Sequence, residues 1–137
     1  MKLSLKVEYA CRVLAQLGRR FGTETLAHID ELAEAEAVPA NYLVQILNEL
    51  RNGSLITSKR GKQGGYALAN SPEEITLRDI VAVVDSEMLE AEAGKLGQSG
   101  PLVADAWASV SDALDKALKG ITLKDMMPDD SGNMYYI

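Results

Sequence analysis

Ser58-Lys59-Arg60-Gly61-Lys62-Gln63-Gly64-Gly65-Tyr66 is the stretch on which the reading of this chain turns. Three cations and three glycines fall within nine residues of an otherwise acidic protein. Leu55-Ile56-Thr57 precedes the stretch and Tyr66-Ala67-Leu68 closes it, each apolar and short enough to be a strand. Glycines between two short strands read as a β-hairpin. A glycine tip lets backbone come close to a surface, and the lysines and arginine set that surface's sign. Duplex DNA, with one negative charge every ~1.7 Å of its axis, suits this chemistry. The stretch therefore reads as a DNA-binding wing. Gly61 to Gly65 lacks the spacing of a nucleotide-binding loop and joins strand to strand rather than strand to helix. With no nucleophile–base pair in sight either, an enzyme is not expected.

Upstream, the pattern is helical. Leu3, Val7, Ala10, Leu14 and Leu17 recur at helical spacing and predict a helix over residues 3–18, stopped by Gly18. Leu26, Ile29, Leu32 and Ala33 mark a short second helix, and Val38-Pro39-Ala40-Asn41 a turn. Tyr42, Leu43, Ile46, Leu47 and Leu50 form a third amphipathic helix with Gly53 as its C-terminal cap. Two helices joined by a short turn and followed by a hairpin make a winged helix-turn-helix.

Downstream, Ile75-Thr76-Leu77-Arg78-Asp79-Ile80 predicts a fourth helix, capped by Thr76 with Asp79 answering it three residues on. Ile121-Thr122-Leu123-Lys124-Asp125-Met126 nearly repeats that pattern and predicts another short helix start. Residues 85–100 are acidic, rich in alanine and glycine, and read as a mobile or partly helical connection. From Pro101 to Lys119 an apolar stripe runs through Leu102, Val103, Ala106, Trp107, Val110, Leu114 and Leu118. It is wider than one small wing domain needs, which points to a dimerisation helix. The expected fold is mainly α with a small β-hairpin. Residues 1–84 form the DNA-binding domain, 85–100 a connection, 101–127 the dimerisation helix with a short following helix, and 128–137 a tail.

The charge distribution agrees. The chain has 137 residues, 47% of them hydrophobic, and a net charge of −6. Residues 1–70 hold nine Lys/Arg against seven Asp/Glu, a balance of +2, whereas residues 71–137 hold five against thirteen, a balance of −8. Such asymmetry separates a DNA-facing half from an acidic half. No signal-peptide pattern opens the chain and no apolar run approaches a bilayer's thickness, so a cytoplasmic protein without membrane contact is expected. One cysteine, Cys11, allows no intrachain disulfide. On an apolar helix side it reads as a small hydrophobe, with a redox role as the alternative. His28, the one histidine, has no second donor to make a metal site with.

Met1-Lys2-Leu3-Ser4 with Tyr9-Ala10, Asn41-Tyr42-Leu43 with Leu50-Arg51, Arg60 to Tyr66, and Ile75 to Ile80 together resemble the Rrf2 family of bacterial transcription regulators. The resemblance covers nearly the whole chain. It implies a homodimer on palindromic DNA, with the third helix in the major groove and the wing in the adjacent minor groove. Mapped onto this chain, Asn41, Tyr42, Val44 and Gln45 would read bases. Lys2, Ser4, Lys6, Asn48, Lys59, Arg60, Gly61, Lys62, Gly64 and Gly65 would meet the DNA backbone or minor groove. Val44 stands where relatives often carry glutamate, and Pro39 where a serine cap is common, which alters the expected operator rather than the fold.

Many members of the family bind an iron–sulfur cluster through three cysteines before the long helix. Residues 85–100 contain neither cysteine nor histidine, so neither cluster nor any other cofactor is expected. The tail, Pro128 to Ile137, is a polar spacer ending in Met134-Tyr135-Tyr136-Ile137. Either it docks on the protein itself, or it is offered to a partner that captures the free carboxylate. Cluster-less repressors of cysteine metabolism in this family end in a similar aromatic–isoleucine tail. By that resemblance Tyr135, Tyr136 and Ile137 would enter O-acetylserine thiol-lyase. The competing reading is a protein-interaction adaptor that uses the winged fold without DNA.

Overall fold

Ser4 opens the first helix of the computed structural model, which describes residues 3–90 and 93–128. Its hydroxyl accepts from the Val7 N–H at 3.2 Å, and helix α1 runs Leu5–Gly18. The helix starts two residues later than its apolar periodicity suggests, because Ser4 takes the capping position and Leu3 stays exposed. α1 buries Val7, Ala10, Val13, Leu14 and Leu17 and lies at the centre of the fold, packed against α2 (Ile29–Glu36), α3 (Ala40–Asn52) and α4 (Leu77–Val84). Leu32, Leu43, Ile46, Leu47, Leu50, Ile80 and Val81 meet it from those helices in one continuous core.

The hairpin follows α3. Strands β1 (Ile56–Lys59) and β2 (Gly65–Leu68) pair antiparallel, with Ile56 opposite Leu68 and Lys59 opposite Gly65. Ile56 and Leu68 anchor its base in the core while its far end is solvent-exposed. Leu26 does not belong to α2 as the periodicity suggests. Ala27 bridges Tyr66 through two backbone bonds, Ala27 N–H to Tyr66 O at 3.0 Å and Tyr66 N–H to Ala27 O at 2.8 Å. That bridge holds the segment extended, so α2 begins only after His28.

Gly53 does cap α3, but in an ordinary conformation, and the left-handed residue is Ser54 at φ 64°. A glycine suits position 53 for packing: a Cβ there would lie 2.6 Å from the Val83 methyls of α4. Thr76 and Asp79 form the expected reciprocal cap, at 3.0 and 3.1 Å. The near-repeat at Thr122 makes a similar cap with Asp125 but leads only into a 3₁₀ turn, Leu123–Met126. The two repeats pair with each other: Leu77 N–H donates to Ile121 O at 2.9 Å and Leu123 N–H to Ile75 O at 2.7 Å.

Helix α5 (Gly100–Lys119) is the longest element, and of its residues only Leu118 is buried. Leu102 is 74% exposed, Trp107 and Val110 each 55%. Pro101 is its second residue rather than its first. Arg78 ties α4 to it through Asp115 at 2.8 Å, and Lys119 reaches the same carboxylate at 2.9 Å. The hydrogen bond from Lys119, then that from Arg78, holds the Asp115 carboxyl below its usual range. The observed fold is mainly helical with a two-stranded hairpin and a long C-terminal helix, the class expected from sequence.

Candidate nucleic-acid interface

The buried residues of α3, Leu43, Ile46, Leu47 and Leu50, all point one way, which leaves Asn41, Val44, Gln45, Asn48 and Arg51 on an exposed stripe at helical spacing. Two contacts fix the angle at which this stripe is presented. Lys6 Nζ of α1 lies 2.7 Å from both carboxylate oxygens of Glu49. Tyr42 lies edge-on against Tyr9, ring centroids 5.4 Å apart at 83°, and the Arg12 guanidinium covers Tyr9 from 4.9 Å. Tyr42 is therefore half-buried, unlike its neighbours on the stripe. Lys6 and Ser4, both considered as DNA-backbone groups, have partners within the protein: Lys6 in the ion pair and Ser4 in the α1 cap.

At the hairpin end, Lys59, Arg60, Gly61, Lys62 and Gln63 are all exposed. Among the described residues no carboxylate forms an ion pair with Lys59, Arg60, Lys62 or Arg51. The glycines there divide by role. Gly61 has φ 101° with open space around it, so it forms the bare tip. Gly64 is buried, and a Cβ on it would collide with the Lys59 carbonyl. Gly65, at φ 145°, would place a Cβ 2.6 Å from the Ala27 carbonyl oxygen, so it permits the bridge described above. Only Gly61 has the open setting the sequence reading gave to all three.

An open cleft of about 440 Å³ joins the two features, lined by Arg51 from α3, His28 and Asp30 at the start of α2, and Ser58, Lys59 and Arg60 of the hairpin. Arg51 and His28 were not among the candidate residues from sequence. Arg51 falls on the exposed stripe by spacing alone, which is a usable signal. The place of His28 depends on the Ala27–Tyr66 bridge, which sequence spacing does not reveal. Glu31 accepts from the His28 N–H at 3.0 Å and is held below its usual range by that bond and by Arg20.

Leu102, Val103, Ala106, Trp107 and Val110 are exposed on α5, Leu114 is half-buried against the core and Leu118 is buried. Lys2 and the tail residues Tyr135, Tyr136 and Ile137 lie outside the described residues. Among the described residues no helix is long and apolar enough to cross a membrane.

A winged helix-turn-helix with a polar helix face beside a cationic hairpin is the architecture of a DNA-binding transcription regulator. The chain belongs to the Rrf2 family: the family description, an iron-dependent transcriptional regulator, matches residues 3–129. The regulator CymR of Bacillus subtilis is 30% identical over 141 residues, spanning 100% of both chains. The solved structure of CymR, the global cysteine regulator of that organism, superposes with a TM-score of 0.79 over 92% of this chain and 95% of its own. An HTH-type transcriptional regulator of Mycobacterium tuberculosis is 35% identical over 131 residues, 92% of this chain and 81% of the relative. The IscR structure of T. potens, 32% identical, superposes at 0.76 over 92% of this chain and 85% of that one.

The family description names iron, and the donors of this chain do not fit an iron–sulfur centre. The sequence holds one cysteine and one histidine. Burial on α1 pushes the Cys11 thiol up to about 11, far from the thiolate such a centre needs. No three His, Cys, Asp or Glu side chains cluster for a metal ion among the described residues.

Proposed function

We propose that this regulator is a sequence-specific repressor acting as a homodimer without an iron–sulfur cluster, with cysteine or sulfur metabolism under its control. The observation that carries the DNA reading is the continuity, across one cleft, of the exposed α3 stripe with hairpin cations that have no ion-pair partner among the described residues. Asn41 and Gln45 have the amide geometry to pair with adenine, and Val44 can meet a thymine methyl. Tyr42 reaches the same face from its half-buried position. Asn48 reaches for a phosphate, and Lys59, Arg60 and Lys62 follow phosphates or a narrowed minor groove, with Gly61 as the close-approach tip. Residues 1–84 serve as the DNA-binding unit.

The exposed apolar face of α5 supports dimerisation through Leu102, Val103, Ala106, Trp107 and Val110, a patch that a monomer would leave in water. Cysteine control is supported by the end-to-end similarity to CymR, the global cysteine regulator of Bacillus subtilis. On this reading the tail, residues 128–137, carries the link to metabolism: Tyr135, Tyr136 and Ile137 insert into O-acetylserine thiol-lyase, and its substrate displaces them.

Salt-dependent duplex binding tests the DNA reading. Replacing Lys59, Arg60 and Lys62 together by alanine is expected to lower the slope of log K against log salt by roughly 2.7, about 0.9 per lost phosphate contact. An unchanged slope removes the wing from the interface, and salt-independent binding of the parent would favour the adaptor reading. Deleting Ile137 should abolish capture of the thiol-lyase; undiminished capture refutes the tail's role.

A further inference from the structure

A second open cleft, of about 200 Å³, lies between the C-terminal half of α1, the end of α2 and the 3₁₀ turn Leu123–Met126. Arg12, Ala15 and Arg19 line it from one face of α1, with Cys11 beside them. Glu36, the last residue of α2, and Met126 complete it. Among the described residues Arg19 and Glu36 have no ion-pair partner, and Arg12 pairs with Glu8 rather than with Glu36. Opposite charges therefore line one cleft without closing on each other. Arg12 Nε is buried and has no hydrogen-bond partner among the described residues, which costs free energy until an acceptor reaches it. Glu36 places a carboxylate at a helix C-terminus, where the dipole disfavours it, and the last turn holds no basic residue to answer it. Burial pushes the Cys11 thiol up to about 11, so with Ala15 and Met126 it forms a neutral wall suited to a short apolar or sulfur-bearing group. The volume falls below the roughly 300–1,000 Å³ of drug-sized sites and suits a smaller molecule.

We propose that this cleft binds a small zwitterion of the α-amino-acid class, its carboxylate held by Arg12 and Arg19 and its ammonium by Glu36. A carboxylate matches the donor fork of a guanidinium, and Arg12 Nε is a donor that the protein itself leaves unused. An ammonium answers the one carboxylate residue of the cleft. A simple anion would meet Glu36 as a like charge, and a simple amine would meet two arginines. Only a molecule carrying both charges is matched. The site also borders the recognition helix: the Arg12 guanidinium covers Tyr9 from 4.9 Å, and Tyr9 meets Tyr42 of α3 at 5.4 Å. A ligand that draws Arg12 toward its carboxylate alters that stack, so occupancy of the cleft reaches α3 through Tyr42. The binding site stands apart from the DNA reading above, and only the consequence of this link for DNA affinity rests on it.

The test uses the full chain and saturation-transfer NMR with the common L-amino acids, each at about 1 mM, where modest affinity already gives occupancy. At least one with a short or sulfur-bearing side chain should bind. Its carboxamide and its N-acetyl form, each lacking one charge, should bind about tenfold more weakly, the loss expected of one charge-assisted pair. Arg19→Gln and Glu36→Gln, at positions without ion-pair partners among the described residues, should keep the circular dichroism of the parent and weaken binding by a similar factor. N-acetylation should cost the Glu36→Gln variant nothing further, because its target is already gone. Absence of binding by every amino acid overturns the proposal. Binding that neither variant weakens overturns it too, since the ligand then sits elsewhere. The Tyr42 ring resonances should shift when ligand is added, and fixed resonances overturn the link to α3 while leaving the site. A parent that binds the amino acid but no duplex keeps the site and refutes the DNA reading.

Discussion

Replacing Gly65 by alanine should loosen the hairpin from the body of the protein, and the structure gives the size of the effect. At φ 145° the residue occupies backbone space that L side chains rarely adopt, a strain of about 1–2 kcal/mol. The new Cβ would sit 2.6 Å from the Ala27 carbonyl oxygen and 3.0 Å from its carbon. Relief requires opening the Ala27–Tyr66 bridge, whose two hydrogen bonds of 3.0 and 2.8 Å are worth about 1 kcal/mol each. The sum is roughly 3–4 kcal/mol. Gly61→Ala supplies the control: φ there is 101° but nothing lies within 4 Å of the added carbon, so only the strain of about 1–2 kcal/mol remains. In urea unfolding at fixed protein concentration, with a slope of ~2 kcal/mol/M, the midpoint should fall by about 1.5–2 M for Gly65→Ala and under about 1 M for Gly61→Ala. Equal shifts for the two variants, or less than about 0.5 M for Gly65→Ala, would refute the argument that Ala27 fixes the wing.

Three further outcomes are expected. Trp107→Glu should give a monomer by analytical ultracentrifugation, because an indole already 55% exposed loses about 2–3 kcal/mol of burial per protomer, counted twice by symmetry; a dimer of unaltered affinity would move the seam off α5. Thr76→Ala, which removes the hydroxyl accepting from Asp79 N–H at 3.1 Å, should cost about 1 kcal/mol in chemical unfolding, and no loss would remove the cap from the account of α4. Asp115, held low by Lys119 and Arg78, contributes stability above its unfolded-state value near 3.8, and this is lost as pH falls through the lower folded-state value. Asp115→Asn should thus flatten the fall in melting temperature below about pH 4, and an unchanged acid limb would contradict the pairing.

Local signals carried most of what the sequence revealed. The hairpin was legible because glycines and short apolar runs specify a turn within a dozen residues, and the α4 cap because Thr76 and Asp79 are three residues apart. Features that depend on distant chain were not. Leu26 fits a helical period, yet the backbone of the next residue, Ala27, is paired with Tyr66. Lys6 looked like a surface cation until the fold placed Glu49 beside it. Thr76 and Thr122 matched as a repeat, but repetition gave no sign that the two segments hydrogen-bond to each other. Gly64 and Gly65 were read as clearance for DNA, where the structure gives each a steric reason inside the protein. In the candidate interface, the α3 stripe followed from periodicity, whereas the cleft joining Arg51 and His28 to the hairpin is a product of tertiary packing.

The central claim, sequence-specific DNA binding, is tested most directly by incubating the purified protein with fragmented genomic DNA and sequencing what it retains at low and physiological salt. The account predicts fragments that share a two-fold symmetric motif and survive physiological salt, lying upstream of genes for sulfur and cysteine metabolism. Retention without any shared motif, vanishing at physiological salt, would contradict it.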